Sequence, residues 1–353
     1  MKLQKNLVNN IITYSIVIVA YILMEIFMSQ GMVSSLIRGL LVPLCVYVIL
    51  AVSLNLTVGI SGELSLGHAG FMCVGAFAGA FLTKVFYGQM PDALCFILAI
   101  VVGAAAAGLM GFLIGIPVLR LRGDYLAIVT LAFGEIIKNV LQAIYVGIDD
   151  SGLHIAMDAA GLKLGAGGVN IINGPQGITG THRFSNFTIG VILVLISLFI
   201  VLNLINSRTG RAVMAIRDDR IAAEATGLNI TKYKLLAFSI SAMLAGVAGV
   251  LYSHNLATLV ARKFDYNMSI LILVYVVLGG IGSTRGSMIA AVVLTLLPEL
   301  LRGLADYRML VYAIVLIVMM IFNWNPTLIE LRKRYSIRRL LFERGGAKQS
   351  GNT

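Results

Sequence analysis

A polar, glycine-rich stretch at residues 55–70, the first glycine segment, separates two long apolar runs. Its polar side chains include the hydroxyls of Ser61 and Ser65, the carboxyl of Glu63 and the imidazole of His68. A helix that begins after Gly67 would present unpaired backbone N–H groups and the positive end of its dipole, a combination that can hold a carboxylate. These residue types therefore fit weak binding of a polar or charged solute.

A second glycine-rich stretch at residues 278–287, the second glycine segment, resembles the first. Paired glycine-broken segments in corresponding parts of a membrane chain indicate the translocation path of a transporter. The alternative is that both segments are short cytoplasmic turns. The path interpretation selects Ser61, Glu63, Ser65, Gly67, His68, Gly279, Gly280 and Gly282.

The elements around these segments are strongly apolar. Of 353 residues, 59% are hydrophobic and 12% are charged, and the mean hydropathy is +0.93. Soluble domains carry about 25% charged residues, so the composition predicts that a lipid bilayer surrounds most of the chain.

Ten apolar runs are long enough to cross a bilayer. They lie near residues 11–28, 37–59, 70–88, 94–118, 124–147, 187–206, 234–260, 267–282, 286–304 and 308–324. The predicted fold is an all-α polytopic membrane helix bundle of about ten transmembrane helices. The runs at 267–282 and 286–304 could instead form a re-entrant pair.

Lysine and arginine are unevenly distributed between the two predicted sides. With the N-terminus inside, the inner segments hold more than twice as many of these residues as the outer ones. The positive-inside rule then predicts N-in and C-in topology. It also accounts for the net charge of +11 without nucleic acid. Residues 1–330 are predicted to form a transmembrane domain and residues 331–353 a basic cytoplasmic tail.

Two connections between the runs are long. The outer connection, residues 148–186, is rich in glycine and is predicted to form an irregular cap. The inner connection, residues 207–233, mixes arginines with acidic residues. Within it, residues 212–226 are predicted to form a short amphipathic helix with Ile216, Ile221 and Leu228 on its apolar face and Gly227 at its end. The mixed charge favours a protein partner over an anionic lipid surface.

Few other residues suggest chemistry. Glu135 and Lys138 share a helix face three residues apart and are predicted to form a structural pair. The four histidines are scattered, so neither a metal site nor a catalytic centre is predicted. The three cysteines lie in apolar runs and are predicted to be free. Small residues at four-residue spacing predict close helix packing at Gly75 and Gly79, Gly111 and Gly115, and Ser241, Ala245 and Gly249.

Six short motifs together carry a family resemblance. They are Leu54-Asn-Leu-Thr-Val-Gly59, Ser65-Leu-Gly-His-Ala-Gly-Phe71, Leu121-Arg-Gly-Asp-Tyr-Leu-Ala127, Ala215-Ile-Arg-Asp-Asp219 through Ala222-Ala-Glu-Ala225, Lys234-Leu-Leu-Ala-Phe238 and Gly279-Gly-Ile-Gly282. In order and spacing, residues 40–325 resemble the permeases of branched-chain amino acid ABC transporters, specifically the M-type subunit of the Leu/Ile/Val system.

The resemblance implies a subunit that is not itself an enzyme, in the cytoplasmic membrane of a bacterium. Its expected partners are a second permease (a paralogue or a second copy), two ATP-binding subunits, an extracytoplasmic amino-acid-binding protein and membrane lipids. ATP would be used by those partners, and no cofactor is expected on this chain. An ion-coupled secondary transporter of small organic solutes is the alternative, but it would usually carry carboxylates near mid-membrane.

Two further sets of site residues follow from the resemblance and the predicted topology. Coupling to the ATP-binding subunits is assigned to Arg217, Asp218, Asp219, Glu224, Ala225 and Gly227. Contact with the binding protein is assigned to Gly174, Pro175 and Gly177. The inner connection departs from the usual ABC coupling motif, because Gly227 follows Glu224-Ala225-Thr226 directly and the rest of the connection, residues 228–233, contains no Leu-Pro.

Overall fold

The computed structural model describes residues 2–121, 123–149, 152–162, 164–165, 168–301 and 307–324. The chain forms two compact units, Met1–Thr295 and Leu296–Thr353. The predicted basic tail, residues 331–353, lies outside the described residues.

Twelve α-helices lie in the described part of the chain. They are α1 (Lys2–Ser29), α2 (Ser35–Asn55), α3 (His68–Phe86), α4 (Asp92–Val118), α5 (Asp124–Ala143), α6 (Phe187–Asn206), α7 (Arg208–Asp218), α8 (Arg220–Ala225), α9 (Ile230–Ser253), α10 (Tyr266–Gly279), α11 (Thr284–Leu300) and α12 (Arg308–Trp324).

Among the described residues, seven helices are long and apolar enough to cross a membrane: α1, α2 with its extension to Ile60, α3, α4, α5, α6 and α9. Each overlaps a predicted apolar run, which confirms a multi-pass helical membrane protein. Helices α10, α11 and α12 occupy the last three predicted runs, with 14, 17 and 17 residues. Ten crossings and the N-in, C-in orientation therefore stay predictions.

Helices α3, α4 and α9 pack closely through small residues. A Cβ atom on Gly75 of α3 would overlap the backbone of Gly246 in α9. A Cβ atom on Gly111 of α4 would overlap Ala242 of α9. Backbones approach this closely only where side chains are absent, so the predicted small-residue packing is confirmed.

The outer connection is not the irregular cap that was predicted. Strand β1 (Tyr145–Asp149) runs into it, β2 (Gly152–Ala156), β3 (Val169–Asn173) and β4 (Ile178–Thr179) lie within it, and β5 (Thr258–Leu259) follows α9. The first three strands form an antiparallel sheet in the order β2-β1-β3, and β4 pairs with β5. The prediction of a purely α-helical fold was wrong here, because α5 ends at Ala143 and its apolar sequence continues as a strand.

The inner connection forms two short helices instead of one. The backbone of Asp219 is extended, and its carboxylate accepts hydrogen bonds from the N–H groups of Ile221 and Ala222 at 2.9 and 3.0 Å. An aspartate that caps a new helix also ends the previous one. Helix α8 ends before Gly227, whose φ of +84° favours glycine, as predicted.

Candidate translocation path and coupling connection

The first glycine segment breaks the helical backbone between α2 and α3. Helix α2 continues as a π-helix at Leu56–Ile60, followed by a stretch without regular structure up to His68. Gly62 has a φ of +74°, a backbone conformation that residues other than glycine rarely adopt. π-Helical turns often lie at functional sites.

The two glycine segments touch each other. The side-chain oxygen of Asn55 accepts a hydrogen bond from the backbone N–H of Gly282 at 2.9 Å. A Cβ atom on Gly59 would overlap both that N–H and the Asn55 side chain. The structure thus joins two segments that sequence analysis paired only by their composition, although their role in transport stays a prediction.

The remaining predicted path glycines make close contacts with their neighbours. A Cβ atom on Gly67 would overlap the carbonyl of Thr130 in α5. The Thr130 hydroxyl accepts a hydrogen bond from the N–H of Leu66 at 3.0 Å. Gly279 packs against the backbone of Ser287, and Gly280 and Gly282 have φ values of +94° and +83°.

His68 lies inside the bundle. Its Nε2 atom is 2.7 Å from the hydroxyl of Ser53 in α2, and its side chain is buried. The Ser53 carbonyl in turn accepts a hydrogen bond from the hydroxyl of Ser241 in α9 at 2.6 Å. These contacts join α2, α3 and α9. His68 therefore has a hydrogen-bond partner in another helix, Ser53, which the sequence did not predict.

Glu63 forms an ion pair with Lys234, near the start of α9. The side chains are only 13% and 11% exposed. Glu63 is among the predicted path residues, but its partner could not be predicted from the sequence, because the two residues are 171 positions apart. A single charged residue near the start of a helix is too common a pattern to indicate such a contact.

Three buried polar atoms around the break have no hydrogen-bond partner within the part of the chain that the structure describes: the Asn55 side-chain nitrogen and the hydroxyls of Ser61 and Ser65. Asn55 is fully buried, and the two serines are 2% and 1% exposed. Such atoms are uncommon in proteins and call for a physical explanation. Asn55 was not among the predicted path residues.

The inner connection reaches the same break through Arg217. Its Nη1 atom donates a hydrogen bond to the carbonyl of Gly59 at 2.8 Å. Its Nε and Nη2 atoms donate to one oxygen of Asp218 at 3.0 and 2.7 Å. The stem of the side chain packs on Gly62, where an added Cβ atom would lie 2.6 Å from the Arg217 Cγ.

The other predicted coupling residues lie at the surface. Asp218, Asp219, Glu224, Ala225 and Gly227 are exposed. Ile216 is buried against Ala223 and Ile230. Ile221, predicted for the same apolar face, is 82% exposed. That part of the prediction was wrong, because the break at Asp219 turns α8 out of the helical phase of α7.

On the outer connection, the predicted contact residues differ in accessibility. Gly174 and Gly177 are buried, with Gly177 against the backbone of Leu259, whereas Pro175 is exposed. Lys84 of α3 donates to the carbonyls of Asn170 and Thr179 at 3.3 and 2.9 Å. The outer connection is therefore tied to the bundle, and its contact with another protein stays a prediction.

The predicted ion pair in α5 and the predicted state of the three cysteines are both confirmed. Glu135 and Lys138 form the predicted intrahelical ion pair, and Glu135 also accepts a hydrogen bond from the N–H of Tyr266 at 3.0 Å. Cys45, Cys73 and Cys95 are free and buried, as predicted.

A bundle of membrane-length helices, broken at two touching glycine segments and contacted by a helical connection, defines a multi-pass membrane permease. Residues 36–322 match the family described as "Branched-chain amino acid transport system / permease component". The chain belongs to this family of permease components.

Similar proteins include the high-affinity branched-chain amino acid transport system permease protein LivM of Salmonella typhimurium. It is 38% identical over 306 residues, which cover 80% of this chain and 67% of the relative. The protein of the same name from Escherichia coli is 36% identical over the same shares. The fructose import permease protein FruG of Bifidobacterium longum is 26% identical, covering 80% of this chain and 81% of that protein. No solved structure gives a significant match.

Proposed function

We propose that this chain is a permease subunit of an ATP-driven importer of branched-chain amino acids in a bacterial cytoplasmic membrane. The observation that carries the proposal is the meeting of both glycine segments with Arg217 of the inner connection. In an importer whose ATP is hydrolysed on a separate subunit, the surface helix that receives the motion must be linked to the translocation path of the permease. The Arg217–Gly59 contact is suited to that task.

The proposed path runs beside the first glycine segment. A zwitterionic amino acid loses hydration from both charged groups as it crosses, which costs several kcal/mol unless polar groups replace the water. The Ser65 hydroxyl, which has no hydrogen-bond partner among the described residues, is suited to the carboxylate. The predicted role of the start of α3 is weaker, because Ala69 N–H donates to the Ser269 hydroxyl at 3.1 Å and Gly70 N–H to the Gly67 carbonyl at 3.0 Å. Contacts along a path must be weak, so specificity lies largely with the extracytoplasmic binding protein.

The proposed assembly contains a second permease, two ATP-binding subunits and the binding protein. The exposed acidic residues of the inner connection, Asp218 and Glu224, face the ATP-binding subunits. The outer connection faces the binding protein. No cofactor is proposed on this chain, and ATP hydrolysis belongs to its partners.

Family membership alone leaves the substrate open, because one similar protein is named for fructose import. The deciding experiment is uptake by vesicles that contain the reconstituted assembly, with labelled leucine, isoleucine, valine or fructose outside. We expect amino acid uptake that requires both internal ATP and the binding protein. Uptake driven by an ion gradient without ATP would instead identify the secondary transporter, and uptake of fructose alone would contradict the substrate.

A further inference from the structure

The ion pair between Glu63 and Lys234 joins the first glycine segment, beside which the proposed path runs, to α9. Both side chains are largely buried. Removing two charges from water is costly, and a buried pair is often no more stabilising than apolar residues of similar size. Stability alone therefore does not explain the pair.

Unpartnered hydroxyls lie on both sides of Glu63 in the sequence, at Ser61 and Ser65. Each is almost completely buried. A buried hydroxyl without a partner carries an uncompensated desolvation cost. The cost is explained if these hydroxyls form hydrogen bonds to a ligand in another conformation of the protein.

The chemistry of such a ligand follows from the pair itself. Separation of Glu63 from Lys234 leaves one carboxylate and one ammonium exposed to the path. A solute without charged groups can hydrogen-bond to both groups but neutralises neither charge, and an amine or a carboxylic acid pairs with only one and leaves the other buried charge unpaired. An α-amino acid zwitterion carries an ammonium and a carboxylate on the same carbon atom and can pair with both groups.

We propose that the Glu63–Lys234 ion pair is a gate at the inner end of the path and an exchange site for zwitterions. The substrate ammonium takes the place of Lys234 beside Glu63, and the substrate carboxylate takes the place of Glu63 beside Lys234, with the Ser65 hydroxyl as a further donor. Closing re-forms the ion pair and releases the substrate. This inference rests on the proposed function, and it makes the two residues determinants of substrate class.

The gate is tested by the accessibility of a buried reporter in the full assembly. Ser65→Cys is introduced after Cys45, Cys73 and Cys95 are replaced by alanine, and its reaction with a membrane-impermeant maleimide is followed in inside-out vesicles. We expect Glu63→Gln or Lys234→Met to raise the labelling rate several-fold. The exchanged pair, Glu63→Lys with Lys234→Glu, should return the rate toward that of the unaltered pair.

A reporter elsewhere controls for general loosening of the bundle. Ser197 of α6 is also 1% exposed but lies outside the proposed path. Ser197→Cys should stay unreactive in every variant. Equal labelling of Ser65→Cys with and without the ion pair overturns the gate, as does parallel labelling of Ser197→Cys.

The exchange step is tested by thermal denaturation of the purified assembly without ATP or binding protein. Leucine at millimolar concentration should raise the melting temperature, whereas 3-methylbutylamine and 4-methylpentanoate, which each lack one charged group, should not. Glu63→Gln and Lys234→Met should abolish the leucine effect. Glu135→Gln, which breaks the intrahelical ion pair with Lys138, should keep it.

No leucine effect on the unaltered assembly, or an effect that survives in both variants, overturns the exchange site. These outcomes are separable from failure of the proposed function. If only the gate inference is wrong, ATP-driven leucine uptake persists and the variants behave like the unaltered chain. If the proposed function is wrong, the unaltered assembly takes up no branched-chain amino acid.

Discussion

Arg217 on the inner connection donates a hydrogen bond at 2.8 Å to the backbone carbonyl of Gly59, which lies 158 residues earlier. Gly59 belongs to a π-helix whose neighbour Asn55 binds the N–H of Gly282. A displacement of α7 therefore acts directly on the place where both glycine segments meet. Arg217 is one of the residues predicted to couple this chain to the ATP-binding subunits, and its bond to Gly59 is compatible with that prediction.

We expect Arg217→Ala to uncouple transport from ATP hydrolysis. ATPase activity stimulated by the loaded binding protein should persist, while leucine uptake per ATP falls several-fold, because the link to Gly59 is lost. Arg217→Lys keeps a donor and should recover part of the uptake. Parallel loss of ATPase activity and uptake would show that Arg217 contacts the ATP-binding subunits instead.

Charge reversal at the exposed part of the inner connection should have a different effect. Asp218→Lys together with Glu224→Lys should reduce co-purification of the ATP-binding subunits, while the chain itself remains inserted in the membrane. Asp92→Lys, at an exposed position at the start of α4, is the control for charge reversal and should leave the assembly intact. Normal co-purification and normal uptake in the double variant would show that this surface does not bind the ATP-binding subunits.

The contact between the glycine segments should not tolerate a methyl group. Gly59→Ala places its Cβ atom against Gly282 and Asn55, and we expect about 1–3 kcal/mol of destabilisation from overpacking. Gly39→Ala in α2 is the matched control, since among the described residues no atom beyond its chain neighbours and its own helix backbone lies within 4 Å of the added Cβ. That change should be neutral or slightly stabilising. Thermal denaturation of the purified chain measures the stability of both variants. Equal melting temperatures of Gly59→Ala and Gly39→Ala would mean that the two glycine segments do not touch.

Ser65→Ala should separate transport from stability. The Ser65 hydroxyl is buried without a partner, so its removal should leave the melting temperature unchanged or raise it. Leucine uptake should nevertheless fall several-fold if the hydroxyl serves the passing carboxylate. Gly67→Val is a poorer test of the path, because its side chain would overlap the Thr130 carbonyl. Unchanged uptake by Ser65→Ala would place the carboxylate elsewhere.

Contact with the binding protein is best tested at the exposed turn of the outer connection. Pro175→Ala together with Gln176→Lys should lower the stimulation of ATPase activity by the loaded binding protein and leave basal activity unchanged. Deletion of residues 165–172 would be less informative, because it removes most of β3 with the buried Ile171 and Ile172. An equal fall in basal and stimulated activity would indicate damage to the fold.

The sequence by itself determined the features that depend on local pattern. Apolar runs located the membrane helices, small residues located their contacts, and glycines located both breaks. Six motifs gave the family. These properties could be predicted because bilayer thickness and helix geometry act on residues that are close together in the chain.

Only the tertiary structure decided which distant groups meet. Glu63 pairs with Lys234 and Arg217 with Gly59 across more than 150 residues, and no local spacing encodes such contacts. The strands of the outer connection and the outward position of Ile221 were likewise decided by long-range pairing and by one capping carboxylate. Helical and extended conformations of short apolar stretches differ little in free energy, so tertiary contacts decide between them.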